Sequence, residues 1–356
     1  ETIYVDDNNN VYSSDVSGVL FNDDFTVLIR YPDGKPDTSY TIPSSVTSIG
    51  EGALRQNTKL TSVTIPASVT SIGNYAFSYT KIETITIPAS VTSIGNAAFI
   101  NSSTPSNQYL TSVTFESDST LKTIGGDAFK YTKIGSITIP ASVTSIGDSA
   151  FREARSLTTV TFATDGSLNI IGDRAFRYAT SLTSITIPKS VQTIGTTAFH
   201  GGQSLSSINV DSANNNYSDV SGVLFNKAKT SLIKYPQGKL DTSYNIPTTT
   251  VAIIEAYSLY DTNLEIINIP PSVTEIKGPL FGDGFNSAAV HTLTIEDGSK
   301  LTTIADYAFQ LSLVTTIYAP SNVIAGKGWS TSTTNKIGDK TNVQVIEYPK
   351  LFTSTD

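Results

Sequence analysis

The stretch IPASVTSIGNYAF, residues 65–77, returns almost unchanged at several places in the chain. It reads IPASVTSIGNAAF at 87–99 and IPASVTSIGDSAF at 139–151, and looser copies lie at 42–54 and 187–199. Self-similarity at a fixed period is typical of repeat architectures, in which each repeat packs only on its neighbours. The chain is therefore predicted to be a repeat array.

The array extends over all 356 residues. Each copy follows an L-x-x-I-x-I pattern, whose last apolar residue recurs at a period of roughly 22–26 residues. Longer intervals run over 5–42 and 210–246, and an intermediate one runs over 87–115. We predict one solenoid over residues 1–356, made of a first super-repeat over 1–205, a second over 206–318 and a C-terminal capping unit over 319–356.

One repeat shows how a coil is expected to fold. Leu60–Ile65 alternates apolar residues with Thr and Ser, which predicts a strand with one buried face. Pro66 has no N–H to donate and ends the strand. Val69 turns back into the core, Gly73 supplies a tight corner with an expected positive φ, and Phe77 fills the interior. No coil can bury its apolar face alone, so we expect a continuous core along the stack.

The spacing L-x-x-I-x-I-P-x-x-V-x-x-I-G-x-x-A-F resembles the BspA-type leucine-rich repeat over nearly the whole chain. Coils at 115–121 and 295–301 resemble a second form of this repeat, in which an acidic bulge replaces the proline segment. The resemblance implies an α/β leucine-rich repeat solenoid dominated by β structure. Its right-handed coils, of roughly 22–26 residues, would each carry one parallel strand.

The family often places Cys three residues after the Phe of A-F, and this chain has no Cys. Small side chains stand there instead, so we expect the packing to survive without thiols. These residues are Thr80, Thr132, Ala154 and Ala179.

The two long intervals match each other in sequence. YSSDVSGVLFNDDFTVLIRYPDGKPDTSYTIP at 12–43 corresponds to YSDVSGVLFNKAKTSLIKYPQGKLDTSYNIP at 217–247. In the first, apolar runs at 19–21 and 27–29 flank the turn residues 22–24, which predicts a β-hairpin. We therefore expect two inserted β-hairpins, one at the start of each super-repeat, which interrupt the stack or lie on its side.

The C-terminal segment resembles the terminal unit of the same family. Ile317–Pro320 would form its last coil, and residues 343–346 are predicted to form a closing strand. An end coil must cover an apolar core that would otherwise face water. The single Trp of the chain, Trp329, is therefore predicted to be a buried cap residue rather than a ligand contact.

Composition argues against several classes of function. The net charge is −8 and charged residues make up only 15 % of the chain, which argues against nucleic acid and anionic lipid as partners. No apolar run approaches the roughly 18–20 residues of a membrane span. The absence of Cys excludes zinc–thiolate sites, disulfides and thiol catalysis.

The sequence contains no recognisable catalytic motif. His200 and His291, the two histidines of the chain, are far apart in the sequence and fall in different coils, so they cannot share a metal, and we expect both on the surface. The runs at 6–10 and 211–216 are oxygen-rich enough to hold Ca²⁺, but they lack the closing Glu of a calcium loop, which favours polar turns. We predict a non-enzymatic protein without metal or cofactor.

The outward residue just before the end of each strand forms a surface that we call the strand face. It either keeps the sheet soluble, since Thr is a good exposed strand residue, or binds a partner. Aromatic and Arg side chains supply most interface affinity, so binding through hydroxyls should be weak and multivalent. The strand face comprises Thr64, Thr86, Thr114, Thr138, Thr161, Thr186, Asn209, Asn245, Asn268, Thr294 and Tyr318.

A second candidate set is aromatic. Tyr79, Tyr131 and Tyr178 each follow the Phe of their coil by two positions. They either pack at the coil corner or bind a ligand, because Tyr combines an apolar ring with a polar end.

The resemblance implies a cell-surface or secreted protein of a microbe living on host mucosa, with adhesion to host proteins or to other cells as its role. The expected partner is a host extracellular or matrix protein, or a surface glycan. Alternatives are a carbohydrate-binding module and a passive spacer in a larger surface protein. We expect an extracellular or cell-surface location, with a signal peptide removed ahead of Glu1.

Overall fold

A computed structural model describes residues 1–248, 251–281, 289–305, 308–309, 313–327, 331, 335–337 and 340–347. The chain forms two compact units, unit 1 (Glu1–Ser204) and unit 2 (Leu205–Asp356). Strands dominate both, and the described helix is confined to a 3₁₀ turn at Pro105–Asn107 and a short helix α1 at Ser321–Gly326. The predicted β-dominated solenoid is confirmed.

Unit 1 contains two alternating kinds of strand. After the N-terminal β1–β3, the even-numbered strands are the predicted L-x-x-I-x-I segments, and the odd-numbered ones are two-residue strands before each corner. The strands are β1 (Tyr12–Ser14), β2 (Leu20–Asn22), β3 (Val27–Arg30), β4 (Ser39–Thr41), β5 (Ser48–Ile49), β6 (Ser62–Thr64), β7 (Ser71–Ile72), β8 (Thr84–Ile87), β9 (Ser93–Ile94), β10 (Ser112–Phe115), β11 (Thr123–Ile124), β12 (Ser136–Ile139), β13 (Ser145–Ile146), β14 (Thr159–Phe162), β15 (Ile170–Ile171), β16 (Ser184–Ile187) and β17 (Thr193–Ile194).

Unit 2 repeats this plan with fewer coils. Its strands are β18 (Ser207–Val210), β19 (Tyr217–Val220), β20 (Val223–Asn226), β21 (Ser231–Lys234), β22 (Ser243–Asn245), β23 (Ile253–Ile254), β24 (Ile266–Ile269), β25 (Glu275–Ile276), β26 (Thr292–Ile295), β27 (Thr303–Ile304), β28 (Thr316–Ala319), β29 (Asn335–Ile337) and β30 (Lys340–Glu347).

The short strands are an addition to the prediction, which assigned one strand to each coil. In unit 1 they pair in parallel and in register, with Ile49 beside Ile72 and Ile72 beside Ile94. Together with β1–β3, the short strands form one sheet in the order β1-β2-β3-β5-β7-β9-β11-β13-β15-β17. A two-residue strand is too short to show an alternation pattern in the sequence, so it can be recognised only from its pairing with the neighbouring coil.

Both predicted hairpins form, and each gains a third antiparallel strand. The last strand of each hairpin then pairs in parallel with the first short strand of its unit, β3 with β5 and β21 with β23. The hairpins therefore extend the short-strand sheets at one end.

The interior follows the repeat. Val69, Ile72 and Phe77 are at most 2 % exposed. Phe77 stacks on Phe99 at 4.9 Å between ring centroids, and the stack continues through four more rings at 5.3–5.9 Å. Burying one such side chain stabilises the fold by roughly 1.5–3 kcal/mol. The added rings are those of Phe129, Phe151, Phe176 and Phe199.

The residues at the family's Cys position are buried, as expected. Thr80 and Thr132 are 5 % and 0 % exposed, and their hydroxyls donate to the carbonyls of Phe77 and Phe129 at 2.9 and 2.8 Å. A hydroxyl that is buried without a partner costs free energy, and these local bonds avoid that cost.

The corner glycine has a different role from the predicted one. The expected positive φ at Gly73 is wrong, because its φ lies outside the left-handed range. A Cβ there would lie 2.8 Å from the backbone of Glu51 and Gly50 in the preceding coil. Gly is therefore required by the close approach of two coils.

Positive φ occurs instead on the side of the coil that follows the corner. Tyr75 and Tyr79 have φ values of 56° and 58°. Their N–H groups and that of Phe77 donate to carbonyls of the next coil at 2.7–2.9 Å. Inter-coil hydrogen bonds offset the cost of the left-handed backbone on this side.

The predicted closing strand at 343–346 lies within β30, which pairs in parallel with β28. Val343 and Val345 are each 1 % exposed, so this strand covers the end of the unit 2 core. The antiparallel neighbour of β30 is β29. Trp329, the predicted cap residue, lies outside the described residues.

Candidate functional site

All eleven residues of the strand face lie within the described part of the chain. Eight are exposed, and the last three, Asn268, Thr294 and Tyr318, are half-buried. The alternating burial of β8, which exposes Thr84 and Thr86 and buries the isoleucines, shows why the pattern predicts this face.

Strand register places members of the strand face side by side. In unit 1, Thr86 lies beside Thr114, and Thr138 lies beside Thr161. Hydroxyls on adjacent strands, about 4.8 Å apart, offer a partner a regular row of donors and acceptors.

In unit 2 the strands after the hairpin form one sheet of long strands in the order β22-β24-β26-β28-β30-β29. Asn245 and Asn268 are paired, and the Asn268 amide donates to the side-chain oxygen of Asn245. Thr294 follows in the same register, with Tyr318 beside it. The change from Thr to Asn along the strand face thus creates an amide contact between coils.

The long strands of unit 1 form separate pairs, β4-β6, β8-β10 and β12-β14. At the break between β10 and β12 lies a cavity of about 620 Å³, which we call the strand-face cleft. Thr114 and Thr138 line it from opposite sides of the break. Two predicted residues therefore contribute to a concave site, and concave sites bury more of a ligand than flat sheets do.

The rim of the strand-face cleft is the acidic bulge at 116–119, which is recognisable in the sequence. The Ala89 N–H donates to Glu116 Oε2 at 3.1 Å, and the Thr120 hydroxyl donates to the Ala89 carbonyl at 2.7 Å. Asp118 adopts a φ of 57°, which turns the chain at the tip. The bulge is held on the neighbouring coil and adds exposed carboxylates to the hydroxyls of the face.

The three tyrosines of the aromatic set differ in exposure. Tyr131 and Tyr178 are half-buried, with Lys130 Nζ and Arg177 Cζ lying 5.4 and 4.9 Å from their ring centroids. These are cation–π contacts between neighbouring residues of the same coil. Tyr79 is 40 % exposed and lines a second cleft.

The expectation that both histidines lie on the surface is wrong for His200, which is 1 % exposed. It directly follows the core residue Phe199, and two residues at the same position in other coils, Ser78 and Ile100, are also buried. His291 is exposed, and its Nε2 lies 3.9 Å from the Glu265 carboxylate.

The oxygen-rich runs use their side chains to shape turns. Asp6 Oδ1 accepts the Asn8 N–H at 2.9 Å, and these local hydrogen bonds hold the pKa of Asp6 below its ordinary value. Asn214 Oδ1 accepts the N–H groups of Asn216 and Tyr217 at 2.8 Å. Within the described ranges, no group of three or more His, Asp or Glu could hold a metal ion. Neither described helical segment has the length and hydropathy that crossing a membrane requires.

Several solved structures resemble the chain. The pneumococcal vaccine antigen PcpA is 24 % identical over 89 % of this chain and 82 % of its own, with a TM-score of 0.61. A leucine-rich cell surface protein from Faecalibacterium prausnitzii is 23 % identical over 98 % and 95 %, with a TM-score of 0.56. A leucine-rich repeat protein from Eubacterium ventriosum is 27 % identical over 67 % and 68 %, with a TM-score of 0.50. These likenesses show the leucine-rich repeat fold.

No curated protein sequence matches the chain. The model of the BspA-type leucine-rich repeat region, in contrast, matches residues 36–106, 100–233 and 237–348. These matches cover most of the sequence. The chain belongs to the BspA-type leucine-rich repeat family.

Proposed function

We propose that this protein is a non-enzymatic interaction protein of the bacterial surface, which adheres to a host extracellular or matrix protein. The observation that carries the proposal is the strand-face cleft, a cavity of about 620 Å³ that includes Thr114 and Thr138. The descriptions of the Faecalibacterium prausnitzii structure as a cell surface protein and of PcpA as a pneumococcal vaccine antigen support an extracellular location.

Charge indicates the chemistry of the partner. Glu116 and Asp118 line the strand-face cleft, and the whole chain has a net charge of −8. A partner surface that presents Lys or Arg would gain charge-assisted hydrogen bonds to these carboxylates. Complementary charge also speeds encounter and makes the association sensitive to salt.

The test is a solid-phase binding assay of the full chain on immobilised matrix proteins and mucin. Thr114→Lys places a bulky cation in the strand-face cleft, and we expect at least a tenfold loss of binding. Ser156→Lys, at an exposed position outside the strand face, adds the same charge and serves as the matched control. Background binding by the unmodified chain, or equal loss in both variants, would contradict the proposal.

A second variant tests the charge argument. Glu116→Gln with Asp118→Asn removes two carboxylates, while the Gln oxygen can still accept the Ala89 N–H. Asn also tolerates the positive φ at position 118. We expect weaker binding and a smaller salt dependence, and an unchanged salt slope would exclude a basic partner surface.

A further inference from the structure

We propose that unit 1 also carries a binding site for a sugar that bears a carboxylate. The site is a cleft of about 550 Å³, which we call the aromatic cleft and which is separate from the strand face. Its lining combines tyrosine rings, amides, hydroxyls and one lysine, and the proposal stands independently of the adhesion proposed above. The residues that carry the argument are Gln56, Tyr79, Lys81, Asn101, Ser102 and Tyr109.

The aromatic cleft exists because one coil is longer than its neighbours. The coil over 87–115 contains more residues than the preceding one, which spans 65–87. The additional residues form a loop with the 3₁₀ turn Pro105–Asn107, and this loop brings Tyr109 beside the preceding coils. Gln56, Tyr79 and Asn101 occupy matching positions in three successive coils, so the loop closes a cleft over an otherwise regular surface.

The loop is held in place by its own hydrogen bonds. The Ser102 N–H donates to Asn101 Oδ1 at 2.9 Å, and Gln108 Nε2 donates to the Ser102 carbonyl at 3.1 Å. Asn101 is 5 % exposed, and Leu110, which follows Tyr109, is 3 % exposed. Because these contacts anchor both ends of the loop, the cleft is formed before any ligand arrives, which reduces the entropy cost of binding.

The aromatic rings suit a sugar. Tyr79 is 40 % exposed, and its N–H donates to the Ile100 carbonyl at 2.9 Å, which fixes the backbone that carries the ring. A sugar ring presents an apolar C–H face that packs on such a ring, while its hydroxyls need directional polar partners. The side chains of Gln56 and Ser102 supply donors and acceptors around the cleft.

Lys81 indicates that the sugar is acidic. Its Nζ lies 5.6 Å from the Tyr109 ring centroid, and among the described residues no carboxylate lies within ion-pair distance of it. Lys130, whose Nζ lies beside the Tyr131 ring, is in contrast paired with Asp127 at 2.9 Å. Lys81 is therefore available to a ligand carboxylate, with which it would form a charge-assisted hydrogen bond.

The experiment compares sialyllactose with lactose, two sugars that share a core and differ in the acidic residue. Saturation-transfer NMR and calorimetric titration would use the full chain. We expect sialyllactose to bind with a Kd of roughly 0.1–5 mM and lactose to bind at least tenfold more weakly. Tyr79→Ala should weaken sialyllactose binding at least tenfold, and Lys81→Gln should bring the two sugars to similar affinity.

Tyr131→Ala is the matched control, because Tyr131 has a φ of 62° against 58° at Tyr79 and lies outside the aromatic cleft. It should leave sugar binding unchanged, as should Thr114→Lys in the strand-face cleft. Thermal melting of each variant shows whether it remains folded. The proposal is overturned by no saturation transfer to sialyllactose, by equal binding of the two sugars, or by equal effects of Tyr79→Ala and Tyr131→Ala.

Discussion

The Tyr31 hydroxyl donates a hydrogen bond of 2.7 Å to a carboxylate oxygen of Asp37. In the second hairpin, Tyr235 makes the same 2.7 Å bond to Asp241. Both tyrosines have fully buried rings. The shared bond connects each hairpin to the segment that leads into the next long strand, β4 in unit 1 and β22 in unit 2, so it marks the same structural junction in both units.

This junction predicts a loss of stability at alkaline pH. Burial, followed by the hydrogen bond to a carboxylate, raises the pKa of Tyr31 and Tyr235 above the ordinary value of 10.0. The unfolded chain therefore loses these protons first, so the stabilisation is complete below about pH 10 and declines as the pH rises further. We expect the melting temperature to fall from about pH 10 upward.

The variant Tyr31→Phe with Tyr235→Phe checks this assignment. Each lost hydrogen bond should cost about 1–2 kcal/mol at pH 8, and the alkaline decline should become shallower. Melting followed by circular dichroism between pH 8 and 12 gives both quantities. An unchanged alkaline slope would assign the decline to other groups.

The burial of Lys234 predicts that the free energy of unfolding rises with pH at lower pH values, which is opposite to the alkaline decline. Lys234 is 3 % exposed, and burial lowers the pKa of its ammonium group from 10.5 to about 7, although Asp261 opposes this shift. Between these values the unfolded chain binds a proton that the folded chain lacks. The free energy of unfolding therefore gains a contribution that rises with pH across this window.

Lys234→Met should remove this contribution. We expect the variant to be more stable than the unmodified chain near pH 7, with the difference shrinking toward pH 10, as measured by calorimetric melts. Lys227→Met, at an exposed lysine, is the control and should show no such trend. A stability difference that stays constant with pH would contradict the lowered pKa.

Phe77→Ala should interrupt the aromatic stack. Phe77 is 1 % exposed and stacks on Phe99, so the substitution leaves a cavity and should cost about 3–5 kcal/mol. Hydrogen exchange should show that the adjacent coils open first, because repeats depend on their neighbours. Tyr75→Ala, at a ring that is 40 % exposed, should cost much less. A loss below about 1 kcal/mol for Phe77→Ala would mean that the stack is not continuous.

Gly73→Ala tests the revised role of the corner. The added Cβ would lie 2.8 Å from backbone atoms of the preceding coil, so we expect a destabilisation of about 1–3 kcal/mol. Gly135→Ala is the control, since a Cβ there meets nothing within 4 Å. Chemical denaturation of the two variants gives the comparison. Equal stability of both variants would show that the coils can separate at little cost.

Much of the coil could be predicted from the sequence, because its period encodes burial directly. The apolar alternation in Leu60–Ile65 identifies the long strand, and the position of Phe77 identifies the interior stack. The strand face also follows from alternation, and its role in binding stays a prediction. The burial of His200 could not be predicted in the same way, because a polar residue type does not reveal whether its position in the coil faces the core.

The sequence by itself determined the repeat, the core residues, the hairpins and the outward row of Thr and Asn, since these depend on local periodicity. Only the tertiary structure decided which coils pair closely. Hydrogen bonds between coils create the short strands, close approach of two coils sets the corner at Gly73, and the long-strand pairing stops between β10 and β12. The loop that places Tyr109 beside Lys81 likewise depends on contacts between residues far apart in the chain. Periodicity specifies what each coil buries, whereas the fit between unlike neighbouring coils creates the clefts.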